Sequence, residues 1–172
     1  LRDLLIRLGR TGLFRARWTD RIHDEWITAL LRKPSSGTLD QLERTRRLMN
    51  SAVLDCLVTG YDRLIDTLVL PDPGDRHVLA AAICGRASVI VTSNLKHFPE
   101  STLEDFGIEA QHPDVFVRHL IDLAPEIVCR VIEEQRASLK NPPLDRDSLL
   151  DNLSRCGLTK SVQALREVCH DL

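Results

Sequence analysis

Two carboxylates, Asp72 and Asp75, bracket a Pro-Gly turn, and the run RHVLAAAICGRASVIV that follows ends on Thr92, Ser93 and Asn94. This order places acidic and polar side chains at the mouth of an α/β sheet, at the carboxyl ends of strands, where ligands bind. Asp72 and Asp75 also suit a turn and a helix N-cap on propensity alone. A third acid, Glu25, sits on a predicted helix whose Ile22, Trp26 and Leu30 share an apolar face. Glu25 lies about 100° around from Trp26, at the edge of that face, and can point into a cleft. His97 stands in a loop before Phe98, and His77 reads as a helix-face residue one turn into its helix.

Charge is segregated behind a net value of −2. Residues 1–33 carry eight Lys/Arg against four Asp/Glu, whereas residues 64–114 carry three against eight. If the two stretches meet, an acidic centre with a basic rim results, suited to a metal ion and a polyanion.

The elements that must position these groups alternate between helix and strand. Leu1 to about Gly9 has leucines at 1, 4, 5 and 8, a helical stripe. Leu13 to Trp18 alternates Leu/Phe with Arg and reads as a short strand. A helix capped by Thr19 or Asp20 runs to about Lys33, before Pro34 and an S-S-G turn. Further helices are expected over about 39–57 and 61–68, and from Arg76 to Gly85. Strands are expected at Val89–Thr92 and Ile108–Gln111. From Pro113 onward the pattern is helical, broken at Pro125, Asn141-Pro142-Pro143 and Cys156-Gly157. The alternation argues for an α/β fold with a parallel sheet flanked by helices.

At 172 residues the chain can bury a core of its own, and 43% hydrophobic with 28% charged residues is ordinary for a globular protein. No apolar run approaches the roughly 18 residues of a membrane span, and no secretory leader is visible. Five cysteines, at 56, 84, 129, 156 and 169, lack C-x-x-C or metal-ligand spacing. They read as reduced thiols of a cytoplasmic protein.

LPDPGDRHVLAAAI followed by VIVTSNLKHF resembles the C-terminal half of a PIN domain, the nuclease fold of VapC-type toxins. Upstream, WTDRIHDEWITALL resembles the family's second helix with its acid, and RRLMNSAVLDCLVTGYDRLI the segment before the third acid. The likeness covers about residues 1–112, a three-layer PIN-like domain, with residues 113–172 as a helical extension packing on it. The tail, too, is similar to that of relatives described simply as PIN-domain proteins.

The resemblance implies carboxylates gathered around Mg²⁺ or Mn²⁺, since hard divalent ions take oxygen ligands. By position Glu25 is the helix acid, Asp75 the acid at the following helix start, and Asp72 an auxiliary ligand. Thr92 and Asn94 would orient ligands or water at the strand end, with Asn94 in the catalytic set. His97 stands where near relatives carry Asp, and a neutral imidazole favours Mn²⁺ or a softer ion. Arg15, Arg17, Arg44, Arg46 and Arg47 would contact RNA phosphates. The family's first strand, ending in a metal-ligating Asp, would precede Leu1.

The implied function is a metal-dependent endoribonuclease, the toxin of a toxin–antitoxin pair, with RNA, an antitoxin protein and a second copy as partners. The alternative is a catalytically weakened PIN-like module that binds RNA or a partner protein, which the His97 departure favours. An unrelated phosphate-binding α/β domain is disfavoured by the lack of a Gly-rich phosphate loop.

Overall fold

The structure, a computed structural model, describes residues 1–33 and 37–169; the Pro34–Ser36 part of the expected turn lies outside them. It forms two compact units, one of residues 15–90 and 95–110, the other of residues 1–14, 91–94 and 111 onward.

In the first unit, α2 (Asp20–Leu31) starts at Thr19, whose buried hydroxyl accepts the Ile22 N–H at 3.1 Å. This α2 follows α1 (Arg2–Arg10), which belongs to the second unit. The next helix, α3 (Leu39–Ala52), opens on a capping box in which Thr38 and Gln41 bond each other's backbone. It stops five residues earlier than its pattern suggests. Asp55 there adopts a positive φ of 52°, and Cys56 to Val58 turn outward to bracket Trp18.

That bracket is all that forms of the strand expected at Leu13–Trp18. Trp18 makes an isolated parallel bridge with Leu57, through Trp18 N–H to Cys56 O and Val58 N–H to Trp18 O, each 2.8 Å. The helix expected over 61–68 is likewise shorter, α4 (Asp62–Ile65).

A polar network fastens α2 to α3. Trp26 Nε1–H donates to His23 Nδ1 at 2.9 Å, so the ring proton of the buried His23 sits on Nε2. Nε2 then donates to Asn50 Oδ1 at 2.9 Å, and Trp18 Nε1–H donates to the same oxygen at 2.8 Å. The residues buried on α2 are therefore His23 and Ile27, with Ile22, Trp26 and Leu30 only half-buried.

Further along, α5 (Arg76–Cys84) buries Leu79 through Ala82 against Val58, Tyr61, Leu68, Leu70, Ile90, Phe98, Leu103 and Ile108. Gly85 ends it where a side chain would be crowded, since a Cβ would lie 3.0 Å from Ala81 O and 3.1 Å from Val58 Cγ2. The sheet has two strands, β1 (Val89–Val91) and β2 (Glu109–Gln111), joined through α6 (Glu100–Leu103). Bonds from Glu109 N–H to Ser88 O and from Thr92 N–H to Gln111 O, both 2.9 Å, give the parallel register. The α/β class thus holds with a smaller sheet than its pattern promised.

The second unit is helical: α1 with α7 (Pro113–Leu123), α8 (Pro125–Ser138), α9 (Arg146–Arg155) and α10 (Thr159–Val168). Pro113 and Pro125 stand at the first positions of α7 and α8, where a missing N–H costs nothing, and Gly157, at φ 93°, separates α9 from α10. Leu4 and Leu8 of α1 are fully buried in a core with Val117, Ile121, Val128, Ile132, Leu150 and Leu165. Phe14 meets Phe116 edge-on at 4.9 Å.

Contrary to the expectation of five reduced thiols, two of the cysteines are bonded to each other. Cys129 on α8 and Cys169 just past α10 form a disulfide, their Cα atoms 5.7 Å apart and both side chains buried. Helix packing brings together residues that are 40 apart in sequence. Cys56, Cys84 and Cys156 remain free. Among the described residues no helix is long and apolar enough to cross a membrane.

Candidate metal centre

The acidic turn is built from its own sequence. Asp72 Oδ1 accepts the Gly74 N–H at 2.8 Å, and Asp75 N–H donates to Asp72 O at 3.1 Å, winding Pro73–Asp75 into one 3-10 turn that leads into α5. Gly74 permits this closeness, because a Cβ there would sit 3.0 Å from Asp72 Oδ1. Both carboxylates thereby acquire a fixed place on the backbone.

His97 comes to them from a second 3-10 turn, Leu95–His97, anchored by the buried Phe98. Its Nδ1 lies 2.7 Å from Asp75 Oδ2 and 3.6 Å from Asp72 Oδ2. One ligand atom from each of Asp72, Asp75 and His97 lies within 4.8 Å of the others. The side chains of Asp75 and His97 are 27% and 22% exposed, that of Asp72 48%, so the group opens to solvent on the Asp72 side. Two carboxylate oxygens and one imidazole nitrogen make a donor set that suits a divalent ion of borderline hardness.

Glu25 stands outside this group. Its Oε1 lies 2.8 Å from His77 Nε2 and 3.6 Å from Arg21 Nε. His77, read from the sequence as a helix-face residue, lies fully buried on α5. The approach to Glu25 is short but off the donor axis, and neither ring nitrogen completes a hydrogen bond. Burial holds the His77 imidazole below the usual histidine range, outweighing the upward pull of Glu25, while Arg21 adds to the lowering and Asp75 opposes it. The ring is therefore neutral at pH 7. The sequence signal for this was slight: one histidine in the first turn of an otherwise apolar helix.

Thr92 and Asn94, in the other unit, form their own turn, with Asn94 N–H donating to Thr92 Oγ1 at 3.0 Å. The five arginines divide. Arg15, Arg44 and Arg47 are exposed. Arg17 donates to Asp55 O, and Arg46 reaches Asp20 at 2.5 Å, Asp24 at 3.0 Å and Glu43 at 3.5 Å. The hydrogen bond that Arg46 donates to Asp20, with the three carboxylate charges, holds the guanidinium above its usual range despite some burial. A side chain shared in this way ties α2 to α3. Arg21, Asp24, Glu25, Thr28, Ala29 and Arg32 line a shallow groove along α2.

The family model of the PIN domain matches residues 2–96, and that of the VapC50 C-terminal domain matches residues 113–167. The chain belongs to the PIN-domain family, in its VapC-type branch. A Mycobacterium tuberculosis protein bearing the name "Putative ribonuclease VapC50" is 49% identical over 79 residues, 46% of this chain and 47% of that protein. The match thus spans about half the length of this curated relative. No solved structure matches the chain. Nucleases of the PIN-domain family use divalent metals, and the Asp72–Asp75–His97 group is a candidate place for one.

Proposed function

We propose that this chain carries the nuclease centre of a divalent-metal-dependent endoribonuclease, acting as the toxin of a toxin–antitoxin pair. The observation that carries this reading is the compact Asp72–Asp75–His97 group, on a chain of the PIN-domain family. Asp75, with Asp72 beside it, would hold the ion, and Glu25 would supply a further carboxylate. Thr92 and Asn94 would orient ligands and water at the end of β1. A divalent ion in such a site activates water and offsets phosphoryl charge during phosphodiester hydrolysis. The nitrogen of His97 beside two oxygens favours Mn²⁺ over Mg²⁺, because imidazole suits softer ions than carboxylate does.

Exposed Arg15, Arg44 and Arg47 would contact the RNA backbone, with Arg21 and Arg32 flanking Glu25 along the α2 groove. An antitoxin protein and a second copy of the chain are the protein partners that the family implies. The test is cleavage of RNA with Mg²⁺ or Mn²⁺, comparing the full-length protein with Asp75→Asn. A loss of at least about 100-fold is expected for removing a metal-held charge of this kind. Activity unchanged by that substitution removes Asp75 from the mechanism.

One observation favours a second reading, a PIN-like module that binds RNA or a partner without cleaving. His97 Nδ1 contacts Asp75 directly, so the imidazole occupies space beside the carboxylate that an ion would need. Calorimetry showing no Mg²⁺ or Mn²⁺ binding would decide for the module.

A further inference from the structure

We propose that His77 is a positioning residue that sets the carboxylate of Glu25, so that the start of α5 fixes Glu25 as well as Asp75. This rests on the metal-centre reading above.

The His77 side chain is 0% exposed; Nδ1 has no hydrogen-bond partner, and Nε2–H faces Glu25 Oε1 at 2.8 Å, at an angle too bent for a regular hydrogen bond. Burying so poorly satisfied an imidazole is costly, and an apolar residue would fill that place in α5 better. What the ring meets is Glu25, at 2.8 Å through Nε2. The other group on Glu25 is Arg21, 3.6 Å away with both side chains about half exposed, an arrangement that holds a side chain weakly. The buried ring is thus the rigid side of the contact and the carboxylate the movable side. His77 follows Asp75 by two residues where the 3-10 turn passes into α5. One short backbone segment therefore presents a carboxylate directly and steers a second one, borne by α2, through a ring. Carboxylates that hold metal ions depend on such outer partners for their orientation.

The test is Mn²⁺ binding to the full-length protein by titration calorimetry, with thermal melting as the check on folding. Variants are His77→Gln, whose amide nitrogen falls near the Nε2 position, His77→Asn, whose amide falls near Nδ1, Glu25→Ala, and Glu25→Ala with His77→Asn. Positioning predicts that His77→Asn weakens Mn²⁺ binding about 10- to 100-fold. His77→Gln should stay within a few-fold of wild type, and His77→Asn should add nothing once Glu25 is absent. Equal losses in the Gln and Asn variants, or a His77→Asn loss that persists beside Glu25→Ala, would overturn the proposal in favour of packing alone. If His77→Asn does not fold, His77→Gln decides: near-wild-type affinity supports the proposal and a tenfold loss in the folded variant sinks it. Wild-type protein that binds no Mn²⁺ ends the metal-centre reading itself. Wild-type binding unaffected by His77→Asn ends only the role of His77.

Discussion

Asp114, on α7, accepts the backbone N–H of Ser161 at the start of α10 through Oδ1, at 2.8 Å. Its other oxygen accepts the Lys160 N–H at 2.9 Å, and the Ser161 hydroxyl returns a bond to Asp114 O at 2.8 Å. No residue of α10's own N-terminus caps it with a side chain, so Asp114 does so from another helix.

Acid should loosen this unit. Burial alone would raise the Asp114 carboxyl, but the hydrogen bonds from Ser161 and Lys160 outweigh it and leave it below the usual aspartate value. A depressed folded-state pKa means the stabilisation is complete above the unfolded value near 4 and fades as pH falls through the folded one. Asp114→Ala should cost about 1–2 kcal/mol at pH 7, as lost caps do. Asp114→Asn should cost less and flatten the acid limb, read from urea melts between pH 7 and 2. An unchanged acid limb in Asp114→Asn would show that other carboxyls set it.

Removing the amide of Asn50 should unsettle the other unit. Asn50 Oδ1 accepts from both Trp18 and His23, so Asn50→Ala leaves two buried donors without their acceptor. A loss of about 2–4 kcal/mol is expected in chemical denaturation. A loss below about 1 kcal/mol would mean that water reaches the network.

The arginines should separate by their partners. Arg47→Ala, at an exposed side chain, should weaken RNA binding and reduce the slope of log affinity against log salt by about 0.7, one phosphate on a single strand. Arg46→Ala should leave that slope unchanged, because its guanidinium already meets three carboxylates, and should cost about 1 kcal/mol or less in stability. A salt slope altered by Arg46→Ala instead would return that residue to the RNA surface.

Exchanging the nitrogen donor should shift ion preference. His97→Asp places a third carboxylate beside Asp72 and Asp75 and replaces a borderline ligand with a hard one. Mg²⁺ affinity should rise on the order of tenfold relative to Mn²⁺, measured by calorimetry with each ion. An unaltered ratio would mean that His97 does not reach the ion.

What the sequence made legible follows its backbone punctuation. Pro113, Pro125 and Gly157 mark the helix boundaries of the tail because ring closure and positive φ act locally, whatever packs around them. The pairing of Asp72 with Asp75 was legible for the same reason, being a property of one turn. Contacts that depend on packing were not. Alternation at Leu13–Trp18 looks like a strand, yet only Trp18 finds a ladder partner. The burial of His23 and His77 depends on packing, which helical periodicity alone does not give. Cys129 and Cys169 meet only because α8 and α10 pack together.

The place of α1 has a consequence for how such chains can be recombined. Leu4 and Leu8 lie in the stretch matched by the PIN-domain model, yet their side chains complete a core built from helices matched by the VapC50 C-terminal model. The two sequence modules therefore share one set of packing constraints. A tail grafted from a relative would have to accommodate these two leucines, and a PIN module transplanted without its tail would carry two buried leucines into water. Exchange between relatives should succeed only when α1 travels with α7 to α10.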